Sequence, residues 1–465
     1  MATVVSLARE LQANGLDELM LAQLIGPAWA ADDVPLVLDR YRSGDPRAAL
    51  ARLFVLGQAV EAASLPVAAD RLAAAGLVDV DGDTVRARVR LTPIGGLLIA
   101  HDGPSPDPDL VMGVSAAART LATLTVRRDV EGALDLGTGS GVQALVAAQH
   151  ARSVVATDVN LHALELARIG SGVNDLPLDL REGSLFDPVG DDRFDLIVSN
   201  PPFVLSPDHE FVFRDSDLPG DAICREVVRG AAEHLRPGGY ATVLCNWICR
   251  AGEEAWKALV PWVEGLPCDT VLLSHGAVDP LRYASRWNEP VRGDGPRYTA
   301  AVNRWLDYYE RNGVAAIGIG AVILRGRAEP GWTRGFSAPR PAAGSASDHI
   351  VRLFAAADLL TELEHRDALL DQRFSLVPGH RLEQTLRYGD EYAVTDVTMA
   401  LDEGVGLTAE IDPEAVPLLF TLTPGRPARA AAEEAGTPEP VAVKLVEHLL
   451  ERGLLEVIAQ PAQGG

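Results

Sequence analysis

The sequence predicts an α/β protein whose central part is a doubly wound, mostly parallel sheet. Strand and helix patterns alternate between about residue 106 and residue 330, which is typical of parallel strands joined by crossover helices. Helical patterns followed by short alternating strands lie on both sides of this part. A stretch rich in Pro, Ala, Ser and Gly, residues 337–347, predicts a linker. We therefore expect an N-terminal domain over 1–105, a central domain over 106–330, a linker over 331–347 and a C-terminal domain over 348–465.

The N-terminal domain is predicted to be helical and winged-helix-like. Two helical patterns after Pro46 are followed by an alternating strand pair around Asp81 and Gly82. Winged helices often bind DNA, which requires a basic surface. The stretch from Pro46 to Asp102 holds six arginines and six carboxylates, so it has no net charge and no basic recognition helix. A protein-facing or structural wing is therefore favoured over DNA binding.

The C-terminal domain, residues 348–465, predicts helices mixed with short strands. Its stretch AVKLVEHLLERGLLEVI repeats the helix-then-apolar-strand ending of the N-terminal wing, which predicts a second winged-helix-like fold. The same domain carries 21 carboxylates and nine Lys or Arg residues. The excess of 12 negative charges is half of the chain's net charge of −24. A solvated acidic surface and a dock for a basic partner both remain open.

Composition and charge argue against several classes of protein. No apolar run reaches the roughly 20 residues that cross a bilayer, and the N-terminus lacks a signal-peptide layout, so we expect a cytoplasmic protein without membrane contact. The Arg- and Ala-rich usage is typical of high-GC bacteria. The four cysteines show no CxxC pair and no nearby histidine cluster, so neither a metal site nor a disulfide framework is expected. The net charge of −24 opposes extensive nucleic-acid binding.

A glycine-rich loop follows the first predicted strand of the central domain. The stretch GALDLGTGSGVQALVA predicts a buried strand that ends at Leu136, a loop, and a helix from Val142. Gly137, Gly139 and Gly141 allow the backbone to turn tightly and to approach a ligand closely. The spacing is GxGxG, whereas the dinucleotide fingerprint is GxGxxG, so a nicotinamide cofactor is not favoured.

Polar side chains stand at the ends of the next predicted strands. Asp158 ends SVVATD, where a carboxylate can accept hydrogen bonds from both hydroxyls of a ribose; capping the following helix is the alternative. Ser184 and Asn200 follow the next two strands. Ligands of doubly wound sheets bind beyond the carboxyl ends of the strands. We therefore expect these residues to share one edge with Asp135 and Gly137.

Four segments carry a resemblance to a known family. DLGTGSG, ATDVN, SNPPF and LRPGGYATVLCN together resemble the class I S-adenosylmethionine-dependent methyltransferases, in the branch with an NPPY or NPPF motif. That branch includes release-factor glutamine N-methyltransferases, rRNA guanine N2-methyltransferases and adenine N6-methyltransferases. The resemblance covers roughly residues 110–250, and it implies a seven-stranded sheet with S-adenosylmethionine as the cofactor.

The resemblance also implies two sets of site residues. The cofactor-binding set is Asp135, Gly137, Thr138, Gly139, Gly141, Asp158, Val159, Ser184, Leu185 and Asn200. The catalytic set is Asn200, Pro201, Pro202 and Phe203. Many relatives carry an acid where Ser184 stands, so this chain departs from the family at the position that would meet the adenine.

The NPPF motif suits methyl transfer to nitrogen. The nitrogen of an amide or of an aromatic amino group is a poor nucleophile because its lone pair is delocalised. Asn200 offers a side-chain carbonyl oxygen, and Pro201 a backbone carbonyl oxygen, as acceptors for the hydrogens on that nitrogen. Phe203 offers a flat face for a planar amide or base. No strong base is required, because positioning supplies most of the rate.

The sequence leaves the acceptor open. A protein glutamine side chain is favoured on charge; the alternatives are a guanine or adenine amino group in RNA or DNA, and a small molecule or peptide. A catalytically inactive binding module is a further alternative, against which the intact motif residues argue. Residues 274–290 look loop-like, and they either line the substrate pocket or pack on the surface. A local arginine patch would favour nucleic acid, and its candidates are Arg282, Arg286, Arg292, Arg297 and Arg304.

Overall fold

The computed structural model describes residues 6–25, 46–105, 107, 109–208, 220–339, 341 and 344–458. The helices are α1 Leu7–Ala13, α2 Glu18–Ile25, α3 Pro46–Leu50, α4 Ala69–Ala74, α5 Ala116–Leu124, α6 Val142–Ala147, α7 Leu161–Asn174, α8 Ala222–His234, α9 Val260–Val263, α10 Pro280–Trp287, α11 Gly295–Arg311, α12 Ser347–Glu362, α13 Val416–Thr421, α14 Ala428–Ala435 and α15 Glu439–Glu451. The strands are β1 Val60–Glu61, β2 Val78–Asp81, β3 Thr84–Ala87, β4 Arg90–Ile94, β5 Leu97–His101, β6 Val130–Leu136, β7 Ala151–Asp158, β8 Asp179–Glu182, β9 Phe194–Ser199, β10 Leu235–Cys249, β11 Cys268–Val278, β12 Ala316–Gly326, β13 Thr333–Ser337, β14 Phe374–Leu376, β15 His380–Tyr388, β16 Tyr392–Leu401, β17 Thr408–Ile411 and β18 Leu455–Val457.

The central sheet has the doubly wound, mostly parallel arrangement that the sequence predicts. Its strand order is β13-β11-β12-β10-β9-β6-β7-β8. The five strands from β8 to β10 are parallel, whereas β12 is antiparallel to both of its neighbours. β6 lies between β7 and β9. The strands that follow β6 in the chain are therefore added first on one side of it, as β7 and β8, and then on the other side, as β9 and β10. Such a switch point opens a crevice at the carboxyl ends of the strands.

The sheet has one strand more than the seven we expected. β13 pairs in parallel with β11, from Thr270 opposite Thr333 to Ser274 opposite Ser337. This strand lies inside the segment 331–347 that we assigned to a linker. It pairs backbone groups on the outer edge of β11 that would otherwise be open. The Pro- and Ala-rich composition begins only at the end of β13, which is why composition gave no sign of the strand.

Apolar side chains pack on both faces of this sheet. On one face, α8 contributes Val227 and Ala231 to a core that includes Ile197 of β9. On the other face, α5 and α12 contribute Leu121 and Phe354 to a second core. Strands covered on both faces carry continuous runs of buried residues, as β6, β9 and β10 do.

The N-terminal unit packs against α7 of the central unit. β2 and β3 form the hairpin expected around Asp81 and Gly82, with Asp81 opposite Thr84, and β1 adds a third strand. Leu166, Ile169 and Val173 of α7 belong to the same buried core as Phe54 of this unit. A winged-helix assignment stays a prediction.

The C-terminal unit meets the sheet through α12. β15, β16 and β17 form a small antiparallel sheet, and β18 pairs with β14 after the last helix, α15. Arg325 of β12 donates to Asp269 of β11, which is fully buried, and to Asp358 of α12. This ion-pair network fixes α12 to the sheet. A winged-helix assignment stays a prediction here as well.

Two further features concern the helices and the cysteines of the described residues. No helix in that part of the chain is long and apolar enough to cross a membrane. Cys224, Cys245, Cys249 and Cys268 are all buried free thiols.

Candidate active site

Four neighbouring parallel strands end together at one edge of the sheet. Leu136 of β6 stands opposite Ser199 of β9 on one side and Thr157 of β7 on the other, and Asp158 stands opposite Glu182 of β8. The loops after these strands carry the predicted glycines, Ser184 and Asn200, and Asp158 is the last residue of β7. The sheet therefore brings the predicted site residues to a single edge.

The glycine loop needs left-handed backbone that other residues rarely adopt. Gly137, Gly139 and Gly141 have φ of +71°, +53° and +80°. A Cβ at Gly141 would lie 3.1 Å from Cβ of Ala167 in α7, so this glycine also permits close packing of the loop on that helix. A Cβ at Gly137 or Gly139 would meet no atom within 4 Å, so this side of the loop faces open space.

Asp135 braces the loop from inside. Its Oδ2 accepts from Thr138 Oγ1 at 2.6 Å and from the backbone N–H of Ala144 at 2.8 Å. Burial raises the pKa of Asp135 to about 7, against the lowering effect of these two hydrogen bonds. The carboxyl therefore ties β6 to the loop and to α6.

Asp158 joins the glycine loop to the end of β7. Its two oxygens accept from the N–H groups of Gly139 at 2.8 Å and Asn160 at 2.9 Å. Burial raises the pKa of Asp158, while these backbone hydrogen bonds lower it. Asn160, rather than Asp158, caps α7, because its side chain accepts from His162 N at 2.9 Å. The carboxylate thus keeps lone pairs for a ligand.

The loop after β8 is tied to the same place. Gly183 N–H donates to the backbone carbonyl of Asp158 at 3.0 Å, which puts Ser184 and Leu185 beside the end of β7. Ser184 is exposed and Leu185 is half-buried. Leu185 has φ of +48°, an uncommon conformation for a residue other than glycine. Val159, which directly follows Asp158 in the chain, is 53% exposed.

The Asn-Pro-Pro-Phe segment continues from β9 without a helix or strand of its own. Ser199 Oγ donates to the carbonyl of Leu136 at 2.8 Å and so fixes the end of β9 to β6. Oδ1 of Asn200 is buried and has no hydrogen-bond partner among the described residues. Pro201 is buried, while Phe203 is half-buried and packs on the apolar core. A buried carbonyl oxygen without a donor is rare in a folded protein and needs an explanation.

Residues 274–290 are not the loop that we expected. β11 runs to Val278, and α10 begins at Pro280 behind the capping side chain of Asp279, which accepts from Leu281 N at 2.9 Å. Asp before Pro is a typical helix start, and this signal was present in the sequence. Tyr283 of α10 is 3% exposed and contacts the segment after Phe203.

The segment that follows the domain boundary near residue 105 also contacts the candidate site. The sequence indicated only a boundary there, so this contact was not predicted. Ser140 Oγ of the glycine loop donates to the carbonyl of Met112 at 2.9 Å. Asn160 Nδ2 donates to the carbonyl of Asp109 at 3.1 Å. The segment that joins the N-terminal unit to β6 therefore contacts both the glycine loop and the start of α7.

The candidate arginines divide into paired and unpaired side chains. Arg292 pairs with Glu289 at 3.0 Å, and Arg304 with Asp208 at 2.9 Å. Arg282, Arg286 and Arg297 are exposed, and no ion pair is found for them within the described part of the chain. A search of the same residues finds no group of His, Cys, Asp and Glu that could hold a metal ion.

Comparison with protein families identifies the central unit. Residues 113–253 match the methyltransferase small domain, and this segment contains β6 to β10 and the edge described above. Residues 113–253 are a methyltransferase small domain. Residues 10–88 match a second family, described as a domain of unknown function (DUF7059).

Curated relatives of the methyltransferase domain fall into two groups by acceptor. The ribosomal protein uL3 glutamine methyltransferase of Bradyrhizobium diazoefficiens is 40% identical over 24% of this chain and 39% of its own length. The release factor glutamine methyltransferase of Geobacter sulfurreducens is 38% identical over 24% of this chain and 43% of its own. The ribosomal RNA small subunit methyltransferase C of Klebsiella pneumoniae is 34% identical over 24% and 30%. The chain thus spans less than half of each of these relatives.

Solved structures similar to this chain include two methyltransferases. One, from Pyrococcus furiosus, is 25% identical, with a TM-score of 0.27 over 37% of this chain and 77% of that chain. The other is a T. thermophilus 16S rRNA N2 methyltransferase in complex with AdoMet and guanosine, 21% identical, with a TM-score of 0.26 over 45% and 60%. The family match, rather than this likeness, identifies the domain.

S-adenosylmethionine is the cofactor of the methyltransferase domain, and the edge of the sheet fits it. The open space over Gly137 and Gly139 leaves room for a ligand against the loop. Asp158 has acceptor capacity left, and Asn200 Oδ1 is a buried acceptor for which the described part of the chain supplies no donor. Both features suit a ligand that carries hydroxyl and N–H groups.

Proposed function

We propose that the chain is an S-adenosylmethionine-dependent N-methyltransferase that modifies a planar amide or amino nitrogen, with a protein glutamine side chain as its acceptor. The observation that carries this proposal is Asn200 Oδ1, which is buried at the edge that holds the glycine loop and has no donor among the described residues. Leaving such an oxygen unpaired costs about 1–3 kcal/mol. An acceptor N–H supplies the missing donor.

The residues around the loop would hold the cofactor. Asp158 accepts the ribose hydroxyls, and the open side of Gly137 and Gly139 lies against the methionine part. Ser184 and Leu185 contact the adenine, while Asp135 acts through Thr138 and the loop. The remaining members of the cofactor set are Gly141, Val159 and Asn200. When bound, the cofactor supplies an electrophilic methyl group on a sulfonium.

The segment after β9 would hold the acceptor nitrogen. Asn200 Oδ1 and the carbonyl oxygen of Pro201 accept the two amide hydrogens, and Pro202 and Phe203 fix and cover the planar group. The lone pair then points along the line of attack. Methyl transfer from a bound sulfonium would exchange the C–S bond for an N–C bond, and water would take the proton from the nitrogen. Orientation rather than a strong base provides the rate.

Charge and relatives support a protein acceptor. The chain has a net charge of −24, which opposes approach to a phosphate backbone. Two of the relatives reported above are glutamine methyltransferases. An rRNA amino group is the second candidate: a third relative is an rRNA methyltransferase, and Arg282, Arg286 and Arg297 are exposed arginines without an ion pair among the described residues.

The test separates these acceptors in one experiment. Purified protein and tritiated S-adenosylmethionine are added to a lysate of cells that lack the chain, and the labelled product is divided between protease and ribonuclease. We expect protease to release the label and ribonuclease to leave it in place. Loss of label to ribonuclease would move the assignment to RNA. Label in the small-molecule fraction would contradict both the protein and the RNA acceptor. If the protein transferred no label and bound no cofactor, the remaining interpretation would be an inactive binding module.

A further inference from the structure

The backbone after the Asn-Pro-Pro-Phe segment is held at both of its polar groups. The N–H of Leu205 donates to Tyr283 Oη at 3.4 Å, and its carbonyl accepts from Tyr309 Oη at 2.7 Å. Leu205 is fully buried, so these groups have no access to water. Tyr283 belongs to α10 and Tyr309 to α11. The two helices therefore fix the chain two residues beyond Phe203.

Tyr283 is fixed in turn by the sheet. Asn246 Nδ2 of β10 donates to Tyr283 Oη at 2.8 Å, and both side chains are 3% exposed. Burial raises the pKa of Tyr283, so the phenol stays neutral. Its ring packs edge-on to Tyr309, with the ring centroids 6.4 Å apart. One hydroxyl thus joins the end of the candidate site, the sheet and the helix pair.

The helix pair also holds the chain further along. Asp208 accepts from Trp305 Nε1 at 2.7 Å and from the guanidinium of Arg304. Trp305 is fully buried in the core formed by α10, α11 and the segment after Phe203. All of these helix residues lie after residue 253, where the match to the methyltransferase small domain ends. The support of the segment therefore comes from outside the matched domain.

We propose that Tyr283 is a positioning residue for methyl transfer, which acts by holding the backbone that carries Asn200 and Pro201. This inference rests on the function proposed above. Loss of the hydroxyl leaves Leu205 N–H and Asn246 Nδ2 buried without an acceptor. The segment then shifts away from the position in which Asn200 Oδ1 meets the acceptor, while the glycine loop and Asp158 are unaffected.

The test compares Tyr283→Phe with Tyr298→Phe in the full chain. Tyr298 is a half-buried tyrosine of α11 for which no hydrogen bond is found among the described residues. In Tyr283→Phe we expect amide hydrogen exchange of residues 200–208 to accelerate about tenfold. We expect the maximal rate of tritiated methyl transfer into lysate protein to fall about 10- to 100-fold. The KM for S-adenosylmethionine should stay within about twofold, because the glycine loop and Asp158, which carry most of the proposed cofactor contacts, do not move. Tyr298→Phe should resemble the wild type in all three measurements.

Three outcomes would overturn the inference. Exchange of residues 200–208 at the wild-type rate would show that Tyr283 does not hold the segment. Unchanged transfer despite faster exchange would show that the segment need not be held. An equal loss of cofactor affinity and transfer would indicate a general structural role. Failure of the wild type itself to bind S-adenosylmethionine or transfer methyl would instead contradict the proposed function, and the exchange measurement would still report on the hydrogen bonds of Tyr283.

Discussion

Asp135 shows how burial can outweigh hydrogen bonding in setting the ionisation of a single residue. The side chain is 1% exposed, and burial raises its pKa to about 7 despite the hydrogen bonds from Thr138 and Ala144. The ordinary pKa of an aspartate is about 3.9. Between these values the native protein holds a proton that the unfolded chain has released. The free energy of unfolding therefore falls as the pH rises from about 4 to about 7.

The variant Asp135→Asn isolates this effect because its amide oxygen still accepts from Thr138 and Ala144. The stability of the wild type relative to the variant should fall by about 2 kcal/mol between pH 5 and pH 8. Urea unfolding of the wild type and of the variant at pH 5 and at pH 8 measures this change in relative stability. The variant Asp129→Asn, at an exposed position, is the control, and its stability relative to the wild type should show no such difference. A constant difference for Asp135→Asn, or one that rises with pH, would contradict the account.

At the scale of elements, α7 serves two units at once. One face carries Leu166, Ile169 and Val173 into the core shared with the N-terminal unit. Its start lies beside Asp158 at the carboxyl edge of the sheet, behind the cap of Asn160. The N-terminal unit therefore contributes to the stability of the helix that follows the candidate ribose ligand.

The variant Leu166→Ala should reduce the free energy of unfolding by about 2–5 kcal/mol, because it leaves a cavity at a position that is 1% exposed. Chemical denaturation of the full chain provides the measurement. Leu161→Ala, in the same helix but 62% exposed, should change it by less than about 0.5 kcal/mol. Equal effects of the two variants would show that the two units do not share this core.

Some elements could be predicted from the sequence and others could not. The strands that end at Leu136, Asp158 and Ser199 were predictable because their apolar runs stop at polar or glycine residues. The edge they share followed from parallel pairing. β13 was missed because an edge strand of five residues, with a central glycine, has no clear apolar pattern. The contact of Tyr283 with Leu205 joins residues 78 positions apart, and no local pattern encodes it.

At the scale of the whole molecule, an ion-pair network joins the C-terminal unit to the sheet. Asp269 is fully buried and accepts from Arg325 Nε at 3.0 Å and from Arg327, while Arg325 also reaches Asp358 at 2.8 Å. A cavity of about 310 Å³ lies nearby, between β13, α12 and α15. The ion-pair network therefore adds to the apolar packing of α12 on this face of the sheet.

Removing one partner of a buried ion pair leaves an uncompensated charge. Arg325→Leu should lower the free energy of unfolding by about 3 kcal/mol, because Asp269 and Asp358 lose their common cation. Thermal or chemical unfolding of the full chain reports this loss. Arg286→Leu is the control, because Arg286 is exposed and has no ion pair within the described residues. A neutral Arg325→Leu would mean that the network does not stabilise the interface.

The whole account depends on Asn200, since its side-chain carbonyl oxygen would accept a hydrogen of the acceptor nitrogen rather than brace the loop. The decisive measurement is methyl transfer by Asn200→Ala at saturating S-adenosylmethionine, with cofactor affinity measured by calorimetry on the same sample. Asn303→Ala, an exposed asparagine of α11, is the matched control. We expect transfer by Asn200→Ala to fall by a factor of about 100 or more, with cofactor affinity within about twofold of the wild type. Transfer at the wild-type rate, or a loss of affinity equal to the loss of transfer, would contradict the assigned role of the Asn-Pro-Pro-Phe segment.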